Sequence, residues 1–211
     1  MKKSLILAFA TLVFCGCSSP KSALSEGGSS NSLGTTEKLP PVALMSSEQM
    51  LKTMISTTGI EGLGELTTAS DTLIKTTYDL RTGSLPSNQL ISSATGPTLI
   101  SATNLASTVC AKAVDRDRAT GEAQRNDRLF FREFDFSKGL AAQDSQAVTQ
   151  AFARLARNAW RRDVASEETS KIVTFAQEFS SGVNANDPVQ VRLLAVGICT
   201  ATLSSLDALT Y

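Results

Sequence analysis

Residues 188–206, with the sequence PVQVRLLAVGICTATLSSL, decide the fold class of this chain. Asp187 and Pro188 open a helix, because the first helical turn tolerates a proline, whose missing N–H is not needed there. Apolar side chains then occupy almost every side of that helix: Leu193, Leu194, Val196, Ile198, Leu203 and Leu206. A helix that is apolar all round is buried inside a protein. The stretch therefore predicts a central helix that the rest of the chain must cover.

The covering elements are predicted to be helices as well. Pro97 starts a second central helix that runs to about Asp117, and its apolar residues share one face: Leu99, Ile100, Ala106, Val109, Cys110, Ala113 and Val114. A capping box at Ser46 and Gln49 predicts a helix that ends at Gly59. The same reasoning predicts four more helices: one near residues 69–81, a short one within 88–93, one from the cap Asp144 to about Trp160, and one from the cap Ser166 to Gly182.

These patterns predict an all-α fold, a single irregular helical bundle of about five to seven helices that spans residues 44–211. A domain of this size supports one hydrophobic core. The composition agrees, because 42% hydrophobic and 19% charged residues are typical of a globular chain.

Two neighbouring stretches interrupt the helical pattern. Residues 115–128 carry so many charges that we expect a solvated turn or loop. Residues 129–136 then hold four of the nine phenylalanines, which either insert under the helices or form an exposed sticky surface, and we expect burial. Glu133 and Asp135 alternate along this aromatic segment, so an extended backbone would point both carboxylates the same way.

The composition excludes several classes of function. Lys plus Arg and Asp plus Glu both number 20, so the chain lacks the basic surplus that a nucleic-acid binder needs. It contains no histidine, which removes Ser-His-Asp and Cys-His nucleophile systems and histidine zinc sites. No cofactor and no metal site are predicted, and no catalytic residue is assigned.

Four arginines near the end of one predicted helix are the most concentrated basic feature: Arg154, Arg157, Arg161 and Arg162. They are interpreted as a solvated, partly paired stripe, since cations suit a helix C-terminus and Asp163, Glu167 and Glu168 follow closely. The alternative is a contact site for an anion, a lipid headgroup or a protein partner.

The N-terminus has the pattern of an export signal. Lys2 and Lys3 precede a ten-residue apolar stretch, Leu5–Phe14, which is too short to cross a bilayer. The following sequence, FCGC at residues 14–17, resembles the lipobox of bacterial lipoproteins. This resemblance implies that residues 1–16 are a lipoprotein signal peptide and that Cys17 is acylated and becomes the first residue.

In such lipoproteins an aspartate after the lipidated cysteine retains the protein at the inner membrane. Ser18 stands there instead, so the resemblance implies an outer-membrane anchor, with the domain facing the periplasm. Residues 17–43 would be the lipidated cysteine and a flexible tether, because residues 18–41 include seven Ser, three Gly and three Pro and almost no large apolar side chain.

After removal of Cys15 and acylation of Cys17, Cys110 and Cys199 would be the remaining cysteines. Both occupy apolar positions of helices predicted to be central. In an oxidising periplasm such a pair favours a disulfide, and the alternative is two separate buried thiols.

Residues 156–168, ARNAWRRDVASEE, are similar to the A-x-x-A-[FW]-R-R-P-[LV]-T-x-E-E element of large secreted planctomycete-type proteins. In those proteins, helical domains of unknown function accompany a c-type cytochrome. The closing LSSLDALTY also resembles that family's end, although Asp163 and Leu206 replace its prolines and no haem site exists in the chain. The resemblance implies an all-α scaffold without the redox partner, and it transfers no catalytic residue.

Together these features predict an outer-membrane-anchored lipoprotein whose non-catalytic helical domain braces or binds another envelope protein. The alternative is an enzyme or accessory protein for polysaccharide or electron-transfer chemistry that uses carboxylates, with Glu133 and Asp135 as the pair to inspect. Carriage of a small ligand, such as a lipid held between helices, is a third possibility.

Overall fold

The computed structural model of the chain describes residues 44–60, 69–87 and 95–210, and within these ranges the fold is all-α. The described residues form seven α-helices: α1 Ser47–Thr58, α2 Ala69–Arg81, α3 Gly96–Ala119, α4 Ser145–Trp160, α5 Ser166–Ser181, α6 Pro188–Leu203 and the short α7 Leu206–Leu209. This confirms the predicted fold class. The predicted signal peptide, lipidated Cys17, tether and helix within 88–93 lie outside the described residues.

The start of α1 follows its local sequence signal, whereas the start of α5 differs from the prediction. At α1 the Ser46 hydroxyl accepts from the Gln49 N–H, and the Gln49 side chain accepts from the Ser46 N–H, so the capping box is confirmed. The prediction that Ser166 caps α5 is wrong by one residue. Ala165 occupies the cap position, because the Glu168 carboxylate accepts its N–H at 2.7 Å and replaces a side-chain cap.

The two central helices are α3 and α6, which pack against each other. Cys110 of α3 and Cys199 of α6 form a disulfide with their Cα atoms 5.7 Å apart, and both residues are fully buried. The predicted bridge is therefore confirmed. The predicted burial of α6 on all sides is not, because Val189 and Leu193 remain 54% and 41% exposed on the side that α3, α4 and α5 leave uncovered.

Close packing of α5 on α6 depends on a glycine. A Cβ atom at Gly197 would lie 3.0 Å from the Phe175 ring, which is tighter than ordinary van der Waals contact. Gly197 therefore lets an aromatic ring of α5 rest against the α6 backbone.

The aromatic segment between α3 and α4 is buried, as predicted. Phe130, Phe131 and Phe134 are fully buried, and Phe136 is 7% exposed. The rings of Phe131 and Phe134 meet edge to face with centroids 5.2 Å apart, a favourable aromatic geometry. The four phenylalanines therefore belong to the hydrophobic core and do not form an exposed surface.

Two charged residues inside the supposedly solvated stretch hold this segment in place, so the prediction for residues 115–128 is wrong at Asp117 and Arg128. The Asp117 carboxylate, 1% exposed, accepts backbone N–H groups from Leu129, Phe130 and Phe131 at 2.9 to 3.2 Å. Its burial is tolerated because each oxygen has donors.

Arg128 is the second buried charge. Its guanidinium donates to the carbonyls of Phe134 and Gly121 at 2.6 and 2.8 Å and to the Glu122 carboxylate at 2.6 Å. It also lies over the Phe136 ring, 5.0 Å from the centroid, in cation–π contact. Charged side chains thus provide the hydrogen bonds that a non-helical buried backbone requires.

The last turn of α3 also connects to α1. The Arg116 guanidinium donates to the Thr58 and Gly59 carbonyls at 2.9 and 2.8 Å. These are end carbonyls that α1 cannot satisfy by itself. Gly59 has a φ of +61°, a left-handed conformation that suits glycine.

Candidate functional site

An open polar depression of about 460 Å³ lies beside the first two turns of α4. Three arginines and three side-chain amides contribute to its lining, together with two carboxylates, Glu133 and Asp144. The lining side chains that can donate hydrogen bonds are Arg125, Asn126, Arg132, Gln146, Gln150 and Arg154. We call this surface the α4 polar depression.

Both carboxylates of the α4 polar depression already have partners. Glu133 accepts from both terminal nitrogens of Arg154, whose Nε donates to the Phe130 carbonyl at 2.9 Å. Asp144 caps α4 by accepting the Gln146 N–H at 2.9 Å. Arg154 thus occupies both oxygens of Glu133, whereas Asp144 uses only Oδ1, which also accepts from the Ser145 hydroxyl.

Two of the arginines retain donors for a ligand. The Arg132 Nε donates to the Arg128 carbonyl at 2.7 Å, and among the described residues its terminal nitrogens have no partner. Arg125 has no side-chain partner within the same part of the chain. Arg132 is therefore held in position by its inner nitrogen while its outer fork remains open to solvent.

The predicted pair Glu133 and Asp135 does not form a joint site. The backbone there is a series of turns, with the Phe134 N–H donating to the Phe131 carbonyl, so the extended conformation assumed from sequence is wrong. Asp135 instead accepts from Ser137 and pairs with Lys138. The Ser137 hydrogen bond, helped by Lys138, lowers the pKa of Asp135 to about 2. Asp135 is consequently a turn-stabilising carboxylate at neutral pH.

A second depression, of about 420 Å³, lies between the C-terminal ends of α1 and α4. Its lining combines two hydroxyls and one amide with one apolar side chain and two of the predicted arginines: Ser56, Thr57, Leu129, Arg157, Asn158 and Arg161. We call it the α1–α4 depression. Leu129 is 37% exposed, although the phenylalanines that follow it are buried.

The two arginines of the α1–α4 depression differ in their freedom. Arg157 pairs with Asp163 at 2.8 Å, and both side chains are more than two-thirds exposed, so the pair contributes only about 0–1 kcal/mol. Arg161 ends α4 with a φ of +57° and has no ion pair among the described residues. A ligand or partner can therefore engage both guanidinium groups with little competition.

Arg162 belongs to a different cluster. It bonds Glu168 and Asp207 at 2.6 and 2.5 Å and lies 4.8 Å from the Trp160 ring centroid. The guanidinium, with the Ala165 N–H, lowers the pKa of Glu168 to about 2, and the two acids raise the pKa of Arg162. The structure thus separates the four arginines. Arg154 lines the α4 polar depression, Arg157 and Arg161 line the α1–α4 depression, and Arg162 forms an ion-pair cluster with Glu168 and Asp207.

A third and smaller depression, of about 290 Å³, has an apolar floor from Val148, Val173 and Leu194, which lie on α4, α5 and α6. Carriage of a small apolar ligand between helices, the third possibility from the sequence, would use this depression.

No three acidic or cysteine side chains in the described ranges converge as a metal site would require. Likewise, none of the helices described here is both long and apolar enough to span a membrane. Asp115 bonds Arg192, and Asp117 bonds the aromatic segment.

Comparison with protein-family models, with curated proteins and with solved structures finds no match to this chain.

The α4 polar depression was missed from sequence. Arg125 and Arg132 flank Arg128 in a charged stretch, and nothing in their spacing separates the buried arginine from the two exposed ones. Only the path of the loop between α3 and α4 makes that distinction.

Proposed function

We propose that this chain is an outer-membrane-anchored periplasmic lipoprotein, held by acylated Cys17, whose helical domain is a non-catalytic scaffold for another envelope protein. The observation that carries the proposal is the buried disulfide between α3 and α6. Disulfides form and persist in oxidising compartments such as the bacterial periplasm and are rare in the cytosol. The bridge thus supports export, which the lipobox-like FCGC sequence also predicts.

The use of the acidic side chains supports a scaffold. Asp115 bonds Arg192 at 2.6 Å and joins α3 to α6, and Glu168 and Asp207 are joined through Arg162. A carboxylate acting as a general base must reach a substrate proton. For the alternative that uses Glu133, the carboxylate would first have to leave Arg154.

The α1–α4 depression is the proposed partner contact. Arginine is enriched among residues that dominate binding at protein interfaces, and an exposed leucine beside two arginines combines charge with apolar contact. A small free anion would leave the exposed Leu129 side chain of this depression uncontacted. A protein surface that offers acidic residues around an apolar patch fits it better.

Lipidation is tested by labelling cells with an alkyne fatty acid. Cys17→Ala should abolish the label and leave a precursor that retains residues 1–16, because no acylated thiol is then available at the cleavage site.

Cys15→Ala is the matched control, since this cysteine lies two residues away and is expected to depart with the signal peptide. Its label should equal that of the wild type. A labelled Cys17→Ala protein, or loss of label in Cys15→Ala, would rule out Cys17 as the anchor.

The scaffold role is tested by placing a photo-crosslinking amino acid at Asn158 in living cells. A discrete adduct with an envelope protein is expected, and Arg161→Glu should reduce its yield about tenfold, equivalent to ~1.4 kcal/mol, through repulsion of an acidic partner surface. The adduct is identified by mass spectrometry.

A crosslinker at Glu178, on the exposed surface of α5, is the control position and should give no such adduct. Equal adducts from positions 158 and 178, or none from either, would count against a specific partner at this depression.

A further inference from the structure

We infer that the α4 polar depression binds an acidic saccharide, with Arg132 and Arg125 receiving its carboxylate and the neighbouring amides receiving its hydroxyls. This activity goes beyond the proposed scaffold role and uses a different surface. At about 460 Å³ the depression has the size of a small-molecule site.

The charge of the lining favours an anion. Three guanidinium groups face two carboxylates, and both carboxylates are engaged within the chain, by Arg154 and by the start of α4. Arg154 balances the charge of Glu133, whereas the N–H that Asp144 accepts is neutral, so Arg132 and Arg125 together leave one uncompensated positive charge. An arginine fork can donate two parallel hydrogen bonds to one carboxylate, which distinguishes it from a simple point charge.

Arg132 is also preorganised. Its Nε is fixed on the Arg128 carbonyl at 2.7 Å, and Arg128 is itself fully buried and bonded to the loop. A side chain already held at its inner nitrogen loses less conformational freedom when its terminal nitrogens bind a ligand.

The remaining polar groups favour hydroxyls. The side-chain amides of Asn126, Gln146 and Gln150 have no hydrogen-bond partners among the described residues. Each amide both donates and accepts, as a sugar hydroxyl does. Ala147 is the only apolar side chain in this lining, so the depression offers no anchor pocket of the kind on which a bound peptide would depend. The lining therefore favours a sugar acid over an acidic peptide.

The test measures binding to the full processed protein in detergent by isothermal titration calorimetry. The probes are a digalacturonate, a neutral disaccharide of the same size, a hexaglutamate peptide and inorganic phosphate. We expect digalacturonate to bind most tightly, and Arg132→Gln to weaken it at least about tenfold, because a hydrogen bond to a charged group is lost. Arg125→Gln should weaken it too.

Arg161→Gln is the matched control, since this exposed arginine belongs to the α1–α4 depression. The affinity of this variant for digalacturonate should equal that of the wild type. The Arg125 side chain makes no hydrogen bond or ion pair with the described residues, so Arg125→Gln keeps the test valid if Arg132→Gln proves misfolded.

Equal binding of the neutral disaccharide, tighter binding of hexaglutamate or phosphate, absence of binding by all probes, or unchanged affinity in both variants would each overturn the inference. None of these results bears on the Asn158 crosslink, so failure here and failure of the scaffold proposal are distinguishable.

Discussion

Replacing Asp117 by alanine should lower the free energy of unfolding by about 3 to 5 kcal/mol. The carboxylate accepts three consecutive backbone N–H groups, and those of Phe130 and Phe131 are buried. Without it these donors have no partner, and the aromatic segment loses its fixed path under the helices. Urea unfolding followed by circular dichroism measures the effect as a lower midpoint.

Two further variants identify the cause. Asp117→Asn keeps one acceptor oxygen and should lose less stability than Asp117→Ala. Asp115→Ala, two residues away on α3, removes a pair with Arg192 in which the acid is half exposed, and it should lose about 1 kcal/mol or less. Equal effects at positions 115 and 117 would show that the backbone contacts of Asp117 are not the reason.

Removing the disulfide should have an effect of similar size. The double variant Cys110→Ala/Cys199→Ala should be less stable by about 4 to 5 kcal/mol in the chain-entropy model, because the bridge closes a loop between residues 89 positions apart. Urea midpoints of oxidised wild type and double variant give the difference.

Reductant provides the control. Cys110 and Cys199 are both fully buried. Dithiothreitol should therefore reduce the wild-type disulfide only once the protein is partly unfolded. The wild-type midpoint in urea with dithiothreitol should then fall towards that of the double variant, which should not respond to the reagent. A wild-type midpoint that is the same with and without reductant would disprove a stabilising bridge.

Helical periodicity predicted the helices well because local signals and burial agree in them. The capping box at Ser46 and the apolar faces around Cys110 and Cys199 were sufficient to place α1 and the two central helices. The disulfide was predicted from the apolar positions of the two cysteines together with an oxidising periplasm, with two separate buried thiols as the alternative.

The loop between α3 and α4 was beyond such reasoning. A run of charges is usually solvated, and the burial of Asp117 and Arg128 depends on backbone groups up to 14 residues away. The same cause hid the α4 polar depression, because Arg125 and Arg132 become a pair of open donors only when Arg128 between them turns inward. The opposite error occurred in α4 and just after it. Four arginines that form one stripe in the sequence are divided by tertiary contacts among three separate sites.

The neighbours Arg116 and Asp117 pair with each other at 3.3 Å; Arg116 also bonds the end of α1, and Asp117 also bonds the aromatic segment. If the final turn of α3 frays, both attachments are lost in the same event. This corner of the molecule is therefore a single cooperative unit of local unfolding, in which the opening of one helical turn exposes α1 carbonyls and phenylalanine rings together. Selection on that turn would preserve two regions that are far apart in the sequence.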